Sequence, residues 1–315
     1  MPNEKPYSNP DAGSLNGKLA LVTGAYGGIG AHTVQGLARA GFSVILAGRD
    51  PAKLERQALA VRGQVPGAAA ETLILDLGDL ASVQQAAEKV LASGRPLDVL
   101  VNNAAVIGGK ERRTTKDGFE LVFGTNHLGH YALTGRLLPA LLAAPSARVV
   151  TVSAVAARSK SISLADPNSD NGYKGGLRGA YAKSKLANLV FTCELARRAE
   201  DTSLKALAVH PGIAPTGLLG EPSALIRWVG EHLISRIANT PEEASGPSLY
   251  AATHDDIPDA SFIGPVGRMG ISGPPAIIDM PALATDPDLG LSLWTTSEEL
   301  THVHYTFSQH PSPRA

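Results

Sequence analysis

The chain has 315 residues, of which 43% are hydrophobic and 18% are charged, and this ordinary globular profile excludes a chain that is disordered throughout. Its 28 lysines and arginines nearly balance its 29 aspartates and glutamates, so it lacks the basic excess of nucleic-acid-binding proteins. The single cysteine, Cys193, excludes an internal disulfide and predicts a small buried hydrophobe in a reducing compartment. Because residues 1–16 are polar and the apolar stretch 137–157 is interrupted by prolines and an arginine, we expect a cytoplasmic protein without a membrane span.

From Gly17 onward, short runs rich in valine, isoleucine and leucine alternate with longer helical patterns. Such runs are typical of strands that are buried on both faces of a sheet. They lie at 18–23, 43–47, 72–75, 98–101, 147–152 and 204–209. The alternation predicts a Rossmann-like, doubly wound α/β fold, a three-layer sandwich whose mainly parallel sheet has about seven strands.

The same pattern predicts a single domain at 17–315 behind a polar N-terminal tail at 1–16. The chain shows neither an internal repeat nor an interdomain linker. The glycine- and proline-rich stretches around 157–179 and 257–275, and the apolar stretch 213–240, are therefore expected to be excursions from one sheet.

The first run ends in a glycine-rich turn, Thr23–Gly30, which leads into a helical pattern. Glycines at 24, 28 and 30 leave the backbone N–H groups and the positive end of the helix open to an anion. The spacing is longer than G-x-G-x-x-G, but strand, turn and helix follow in the order that a pyrophosphate site requires. The turn predicts dinucleotide binding, and a merely tight strand-to-helix connection is the alternative.

The second run ends in Gly48-Arg49-Asp50, where dinucleotide-binding proteins place the group that contacts the ribose 2′ position. Asp50 precedes Pro51 and is expected to cap the following helix. Arg49 remains as a bidentate partner for a 2′-phosphate, and no carboxylate at position 48 repels that phosphate. The alternative is a solvated surface arginine.

Tyr181 and Lys185 stand at i and i+4, on one face of a predicted helix. A cation within about 4–6 Å of a phenol lowers its pKa, which makes the phenol a usable proton donor or acceptor. The spacing also occurs by chance on solvated helix faces. Ser153 follows the fifth run, at the edge where parallel sheets bind ligands.

These residues resemble the motifs of the short-chain dehydrogenase/reductase family, and within it the retinol-dehydrogenase-like branch and its bacterial relatives. The matching motifs cover most of the chain, namely Thr23–Gly30, Asp76-Leu77, Asn102–Ala105, Asn126–His130, Ser153, Tyr181-x-x-x-Lys185 with Leu186–Asn188, and His210–Gly212.

The resemblance implies catalytic roles for four residues. Ser153 would hydrogen-bond the substrate oxygen, Tyr181 would exchange its proton, and Lys185 would hold the nicotinamide ribose and lower the pKa of Tyr181. Asn126 would anchor a water that relays protons to Lys185. Asp76 and Asn102 would border the adenine. The residues expected to bind the cofactor are Gly24, Tyr26, Gly28, Ile29, Gly30, Arg49, Asp76, Leu77, Asn102, Ala104, Tyr181, Lys185, Pro211, Gly212 and Thr216.

Two features depart from the family pattern. Ala105 stands where the family usually has glycine, which adds a methyl group where the backbone runs close to the cofactor. The interval from Ser153 to Tyr181 is longer than in the simplest members, so substrate preference does not transfer from them. His127, His130 and His210 have no metal-ligand spacing, and we expect them to pack or hydrogen-bond without a metal.

The sequence thus predicts an NADP(H)-dependent oxidoreductase, rather than an NAD(H)-dependent one, that transfers hydride between the nicotinamide and a carbonyl or secondary alcohol. Two alternatives are an NADP-binding sensor or scaffold without turnover and a dinucleotide-dependent epimerase. The oligomeric state is open, a homo-oligomer included. Residues 213–235 offer an apolar wall and 157–179 a glycine-containing mobile rim, so we expect a bulky hydrophobic substrate.

Overall fold

The computed structural model of the protein describes residues 15–158, 163–212, 239–267 and 270–307. Within them an 8-stranded sheet has the order β3-β2-β1-β4-β5-β6-β7-β8. The strands are β1 (Leu19–Thr23), β2 (Ser43–Gly48), β3 (Ala70–Ile74), β4 (Val99–Asn102), β5 (Arg148–Val152), β6 (Lys205–Val209), β7 (Phe262–Pro265) and β8 (Pro275–Ile278).

Helices connect most of these strands. They are α1 (Gly28–Arg39), α2 (Pro51–Gln64), α3 (Leu80–Ala92), α4 (Leu121–Phe123), α5 (Gly129–Leu142), α6 (Ala180–Arg198), α7 (Pro241–Thr253) and α8 (Pro287–Thr301). A π-helical turn, Gly124–Leu128, joins α4 to α5, and 3₁₀ turns lie at Val155–Arg158 and Ala282–Ala284. None of the described helices is both long and apolar enough to cross a bilayer.

The sheet is parallel from β3 through β7, and only β8 runs antiparallel to its neighbour. Every residue of β1, β4 and β5 is buried, because helices cover both faces of the central strands. Separate apolar clusters lie against the two faces of the sheet, one that includes Leu21 and Leu100 and another that includes Val22 and Val101. This arrangement confirms the predicted doubly wound α/β fold.

The direction of winding reverses between β1 and β4, because the chain builds β2 and β3 on one side of β1 and β4 to β7 on the other. At such a reversal the connections leave in opposite directions, and a crevice opens at the carboxyl ends of the strands. The glycine-rich turn follows β1 and therefore lies at this crevice.

The strand count differs from the sequence-based expectation. We predicted about seven strands and treated 257–275 as an excursion from the sheet. In the structure, β7 lies inside that stretch and β8 begins at its last residue. Both strands have only 4 residues, and their prolines and Gly264 obscure the apolar pattern. A strand this short is difficult to distinguish from a loop by periodicity.

Two local predictions are confirmed. The side chain of Asp50 caps α2 by accepting a hydrogen bond from the Lys53 amide at 3.0 Å, with Pro51 in the first turn. Cys193 is a buried free thiol in α6.

Candidate active site

The first turn of α6 carries Tyr181 at the mouth of the crevice. Gly179 directly precedes the helix. Glycine is required at this position because a Cβ would collide with the carbonyl oxygen of Lys174. The Ala180 amide donates to that same oxygen at 2.6 Å, and the Tyr181 amide donates to Gly176 O at 3.3 Å. These contacts of the preceding segment therefore fix the start of α6 and, with it, the position of Tyr181.

Lys185 lies one turn further along α6 and is fully buried. Its Nζ donates to the carbonyl oxygen of Val152, the last residue of β5, at 2.8 Å. Nζ also lies 5.6 Å from the centroid of the Tyr181 ring. The helix thus brings the ammonium and the phenol together, as their spacing predicts.

The predicted effect of Lys185 on Tyr181 is not found in this structure. Burial raises the pKa of Tyr181 to about 12, and burial also lowers the pKa of Lys185 to about 7. Desolvation penalises the charged form of both groups, and it is the cause of both shifts. At neutral pH the phenol is therefore protonated and is suited to donate its proton.

Ser153 lines the crevice directly after β5, where the sequence places it. Its amide donates to Val209 O at 2.7 Å, which extends the pairing with β6 by one residue. Its hydroxyl donates to the backbone oxygen of Lys185 at 2.7 Å. To donate to a substrate oxygen, the hydroxyl must turn away from that carbonyl.

Asn126 lies in the π-helical turn and is completely buried, behind the crevice wall. Its side chain pairs with both backbone groups of Val106: the Val106 amide donates to Oδ1 at 2.8 Å, and Nδ2 donates to Val106 O at 2.9 Å. Nδ2 also lies 3.0 Å from the hydroxyl oxygen of Ser184, which itself donates to Tyr181 O. The structure therefore connects Asn126 to the crevice through Val106 and Ser184, which sequence reasoning did not single out.

The glycine-rich turn forms a cradle at the other end of the crevice. Gly24 has φ +65°, and a Cβ at Gly30 would collide with Gly24 O and lie 2.6 Å from Asn103 Nδ2. No side chain caps the N-terminus of α1, while Gly27, Gly28 and Ile29 line the crevice there. Close backbone and uncapped N–H groups fit a pyrophosphate.

Arg49 lines the crevice at the end of β2, and Lys53 lies beside it. The ring of Tyr26 packs against Gly48 so closely that a Cβ at Gly48 would overlap it. A side chain at position 48 would therefore require the Tyr26 ring to move. Lys53 lies in the first turn of α2, and its Nζ lies 5.7 Å from the Tyr26 ring centroid. Its position four residues after Arg49 is the signal that sequence reasoning missed.

The connections after β3 and β4 form the adenine side of the crevice. Asp76, Leu77, Ala104 and Ala105 line it. Asn102 does not, because its side chain is buried and its Nδ2 donates to Thr134 Oγ1 at 3.1 Å. Asn102 is the last residue of a buried strand, and its expected place beside the adenine stays a prediction. Ala105, which stands where the family usually has glycine, does not have a positive φ, so its backbone does not require glycine.

Pro211 and Gly212 complete the wall after β6. Gly212 has φ +78°, and a Cβ there would collide with the backbone oxygen of Ile271. Thr216 and the apolar wall 213–235 lie outside the described residues, which resume at 239.

The histidines are hydrogen-bonded within the fold. His127 Nε2 lies 2.9 Å from Ser297 Oγ, and the Gly212 amide donates to His210 Nδ1 at 3.1 Å. His130 bonds through both ring nitrogens, to Thr23 Oγ1 at 2.9 Å and Asn126 O at 3.0 Å.

A family model for short chain dehydrogenases matches residues 18–224. The chain belongs to the short-chain dehydrogenase/reductase family. The match spans both the glycine-rich cradle and the Tyr181/Lys185 pair, so this family's motifs occupy the two ends of one crevice.

Curated relatives place the chain in the retinol-dehydrogenase-like branch of the family. It is 36% identical to human retinol dehydrogenase 13 over 80% of this chain and 77% of the relative. It is 34% identical to mouse retinol dehydrogenase 14 over 96% of this chain and 91% of the relative. Human retinol dehydrogenase 12 is 40% identical over 76% of this chain and 74% of its own.

Solved structures of similar proteins share the fold. A protein from Mycobacterium paratuberculosis superposes with a TM-score of 0.77 at 36% identity, covering 96% of this chain and all of the other. A short-chain dehydrogenase from Shigella flexneri, solved in complex with NADP, gives 0.62 at 26% identity over 78% of this chain and 95% of its own.

Proposed function

We propose that this short-chain dehydrogenase/reductase is an NADP(H)-dependent enzyme that reduces a carbonyl group, or oxidises the corresponding alcohol. The observation that carries the proposal is that the glycine-rich cradle and the Tyr181/Lys185 pair line one continuous crevice. A nucleotide held in the cradle along this crevice would bring its nicotinamide toward Tyr181.

Bound NADPH supplies a hydride to the carbonyl carbon, and the protein supplies the proton and the orientation. The Tyr181 phenol donates its proton to the carbonyl oxygen, which gives the alcohol. Burial keeps this phenol protonated at neutral pH, because it raises the pKa of Tyr181 to about 12. Ser153 and Lys185 lie beside it, and they would orient the substrate oxygen and the ribose. The protonation state favours reduction at neutral pH, since oxidation requires the phenolate.

The preference for NADP(H) rests on Arg49 and on the packing of Tyr26 against Gly48. Arg49→Ala should weaken NADPH binding by about 1.5–3 kcal/mol, the magnitude of a charge-assisted hydrogen bond, and leave NADH binding nearly unchanged. Lys53→Ala should give a smaller loss because its ammonium contacts a phosphate as a point charge. Fluorescence titration with both nucleotides measures this, and equal wild-type affinity for NADPH and NADH would contradict it.

We further propose a bulky hydrophobic carbonyl or alcohol as the substrate. The described part of the crevice is lined partly by apolar groups, among them Val106, Val155 and Leu177. The relatives are named for retinol, which is a large apolar alcohol. Arginines at 113, 158 and 178 also line the outer crevice, so a carboxylated substrate is the direct competitor.

A substrate panel tests the assignment. Large apolar ketones and aldehydes, retinal included, should have a higher kcat/KM with NADPH than short polar or carboxylated ketones. Better performance by the carboxylated set would overturn the substrate proposal while leaving the enzyme class intact. Tight NADPH binding without turnover on any member would favour a sensor, and a product altered only in stereochemistry would identify an epimerase.

A further inference from the structure

His130 connects the cofactor turn to the helix that carries Asn126. It is fully buried in the first turn of α5. Nε2 lies 2.9 Å from the hydroxyl oxygen of Thr23, which immediately precedes Gly24, and Nδ1 lies 3.0 Å from the backbone oxygen of Asn126. The described site assigns no role to this histidine.

The hydrogen bonds determine where the protons lie. A carbonyl oxygen only accepts, so Nδ1 carries the hydrogen that bonds Asn126. Thr23 Oγ1 accepts from the amides of Asn103 at 2.9 Å and Ala104 at 3.0 Å, which fills its two lone pairs. Its own hydrogen has two acceptors within reach, Val101 O at 3.3 Å and His130 Nε2 at 2.9 Å, and the shorter distance favours Nε2. Burial lowers the pKa of His130 to about 3, in agreement with a neutral ring.

Both hydrogen-bond partners of His130 are connected to the crevice by further hydrogen bonds. At the Thr23 end, the hydroxyl holds the amides of Asn103 and Ala104, and the Thr23 oxygen accepts from Asn103 Nδ2 at 2.7 Å. These residues surround the glycine cradle. At the Asn126 end, the side chain fixes Val106 and, through Ser184, the backbone of Tyr181.

We infer that His130 is a positioning residue whose two ring nitrogens have separate tasks: Nε2 orders the cofactor turn through Thr23, and Nδ1 orders the π-helical turn behind Tyr181 through Asn126. The expectation that the Nδ1 contact affects the rate of turnover rests on the proposed function. The first task concerns nucleotide binding, which the Kd of NADPH measures. The position of the hydrogen on the imidazole ring is measured by NMR. Neither measurement depends on which reaction the protein catalyses.

Two variants separate the tasks. In His130→Asn the amide nitrogen takes the position of Nδ1 and keeps the donor to Asn126, but the side chain no longer reaches Thr23. In His130→Gln the amide oxygen takes the position of Nε2 and keeps the acceptor for Thr23, but the donor to Asn126 is lost. Neither variant introduces a charge into the buried site.

His127 provides a matched control in the adjoining π-helical turn. It is equally buried, but Ser297 of α8, which it bonds, and Phe123, on which it stacks, do not line the crevice. His127→Gln should lower Tm without changing either kcat or the Kd of NADPH.

The experiment measures the Kd of NADPH by fluorescence, kcat with the best carbonyl substrate, and the imidazole tautomer by ¹⁵N NMR. We expect His130→Asn to raise Kd about 3- to 10-fold, as for one lost hydrogen bond, with kcat within about twofold of wild type. We expect His130→Gln to lower kcat about 10-fold with Kd nearly unchanged. The wild-type spectrum should show a neutral His130 with hydrogen on Nδ1.

Parallel changes of kcat and Kd in both variants, or changes no larger than those of His127→Gln, would overturn the inference. Hydrogen on Nε2 would overturn it as well. A wild type that binds NADPH but reduces no carbonyl would refute the proposed function alone, because the Kd of His130→Asn and the tautomer would still decide the role of His130.

Discussion

Burial, rather than the spacing of charges along the helix, determines how Tyr181 and Lys185 ionise. Their proximity was predictable from the i, i+4 pattern, and the structure places Lys185 Nζ 5.6 Å from the Tyr181 ring centroid. The direction of the pKa shift was not predictable, because desolvation depends on β5 and on the elements that pack around α6. The sequence therefore predicted that the two side chains are neighbours, whereas burial shifts the pKa of Tyr181 in the direction opposite to the predicted one.

The lowered pKa of Lys185 makes stability depend on pH. The pKa is about 7 in the folded protein against 10.5 for an ordinary lysine, so between these values the unfolded chain binds the extra proton. Stability should rise as pH increases from 7 toward 10.5, by on the order of 2 kcal/mol between pH 7 and 9 for this group. Urea unfolding of wild type and Lys185→Met checks this.

The Lys185→Met variant should show a shallower rise of unfolding free energy over the same pH interval. The comparison isolates Lys185 because all other titrating groups are shared. Identical pH dependence of the two proteins would show that the ammonium is not desolvated as the structure indicates.

At the scale of elements, the segment before α6 is more constrained than its glycines suggest. We predicted a mobile rim at 157–179. In the structure, the Glu120 amide donates to Asn168 Oδ1 at 2.6 Å, and Arg112 donates to Asn168 O and to the carboxylate of Asp170, both at 3.1 Å. Gly175 serves close packing, because a Cβ there would collide with Gly109 O. Residues 159–162 lie outside the described part of the segment.

Lys183 gives this segment a second attachment. Its Nζ donates to Asp166 O at 2.6 Å and to Ser169 Oγ at 2.8 Å, from the outer side of α6. Lys183→Met should loosen the segment, raise KM for a large substrate several-fold and leave the Kd of NADPH unchanged. Hydrogen exchange across 163–179 should accelerate.

Lys174→Met is the matched control for Lys183→Met, since Lys174 is exposed within the same segment. The control should behave as wild type in both measurements. Unchanged exchange in Lys183→Met would show that the ammonium contacts do not hold the segment.

The predicted strands and the observed ones agree best in the centre of the sheet. β1, β4 and β5 are buried runs rich in valine and leucine, and their bounds differ from prediction by about one residue, as is usual at element ends. β7 and β8 were missed because tertiary pairing, not local pattern, makes short proline-containing segments into strands. The π-helical turn around Asn126 also has no pattern in the sequence, since it depends on contacts to Val106 and His130.

At the scale of the whole molecule, three buried histidines should make the protein sensitive to acid. Burial lowers the pKa of His127 and His210 to about 4 and of His130 to about 3. Below an ordinary histidine pKa of about 6.5, the unfolded chain binds protons that the folded chain excludes. Stability should therefore fall as pH decreases from 6.5, by on the order of 2 kcal/mol per histidine at pH 5.

Urea unfolding at pH 7.5 and pH 5 measures this loss. His127→Gln removes one titrating group outside the crevice, so its stability should decline less steeply with acid than that of wild type. An equal decline in both proteins would show that His127 does not contribute to the acid sensitivity.

The position of the site was the most predictable property of the whole molecule. A parallel sheet whose winding reverses beside β1 places the turn after β1, Ser153 after β5 and Pro211 after β6 at one edge, and the sequence contains that order of elements. The exact wall of the crevice was less predictable, because whether Asn102 or Asn103 faces it depends on where β4 ends. Thr216 and residues 213–235 stay predictions.

The most direct test of the central claim follows NADPH oxidation by wild type and by Tyr181→Phe with the best carbonyl of the panel. Loss of the phenol should reduce turnover about 10²- to 10⁴-fold while leaving the Kd of NADPH and Tm nearly unchanged, because the proton donor is removed and the ring is kept. Tyr305→Phe, whose hydroxyl donates to Tyr131 O away from the crevice, should keep wild-type turnover. Near-normal turnover in Tyr181→Phe would contradict the account.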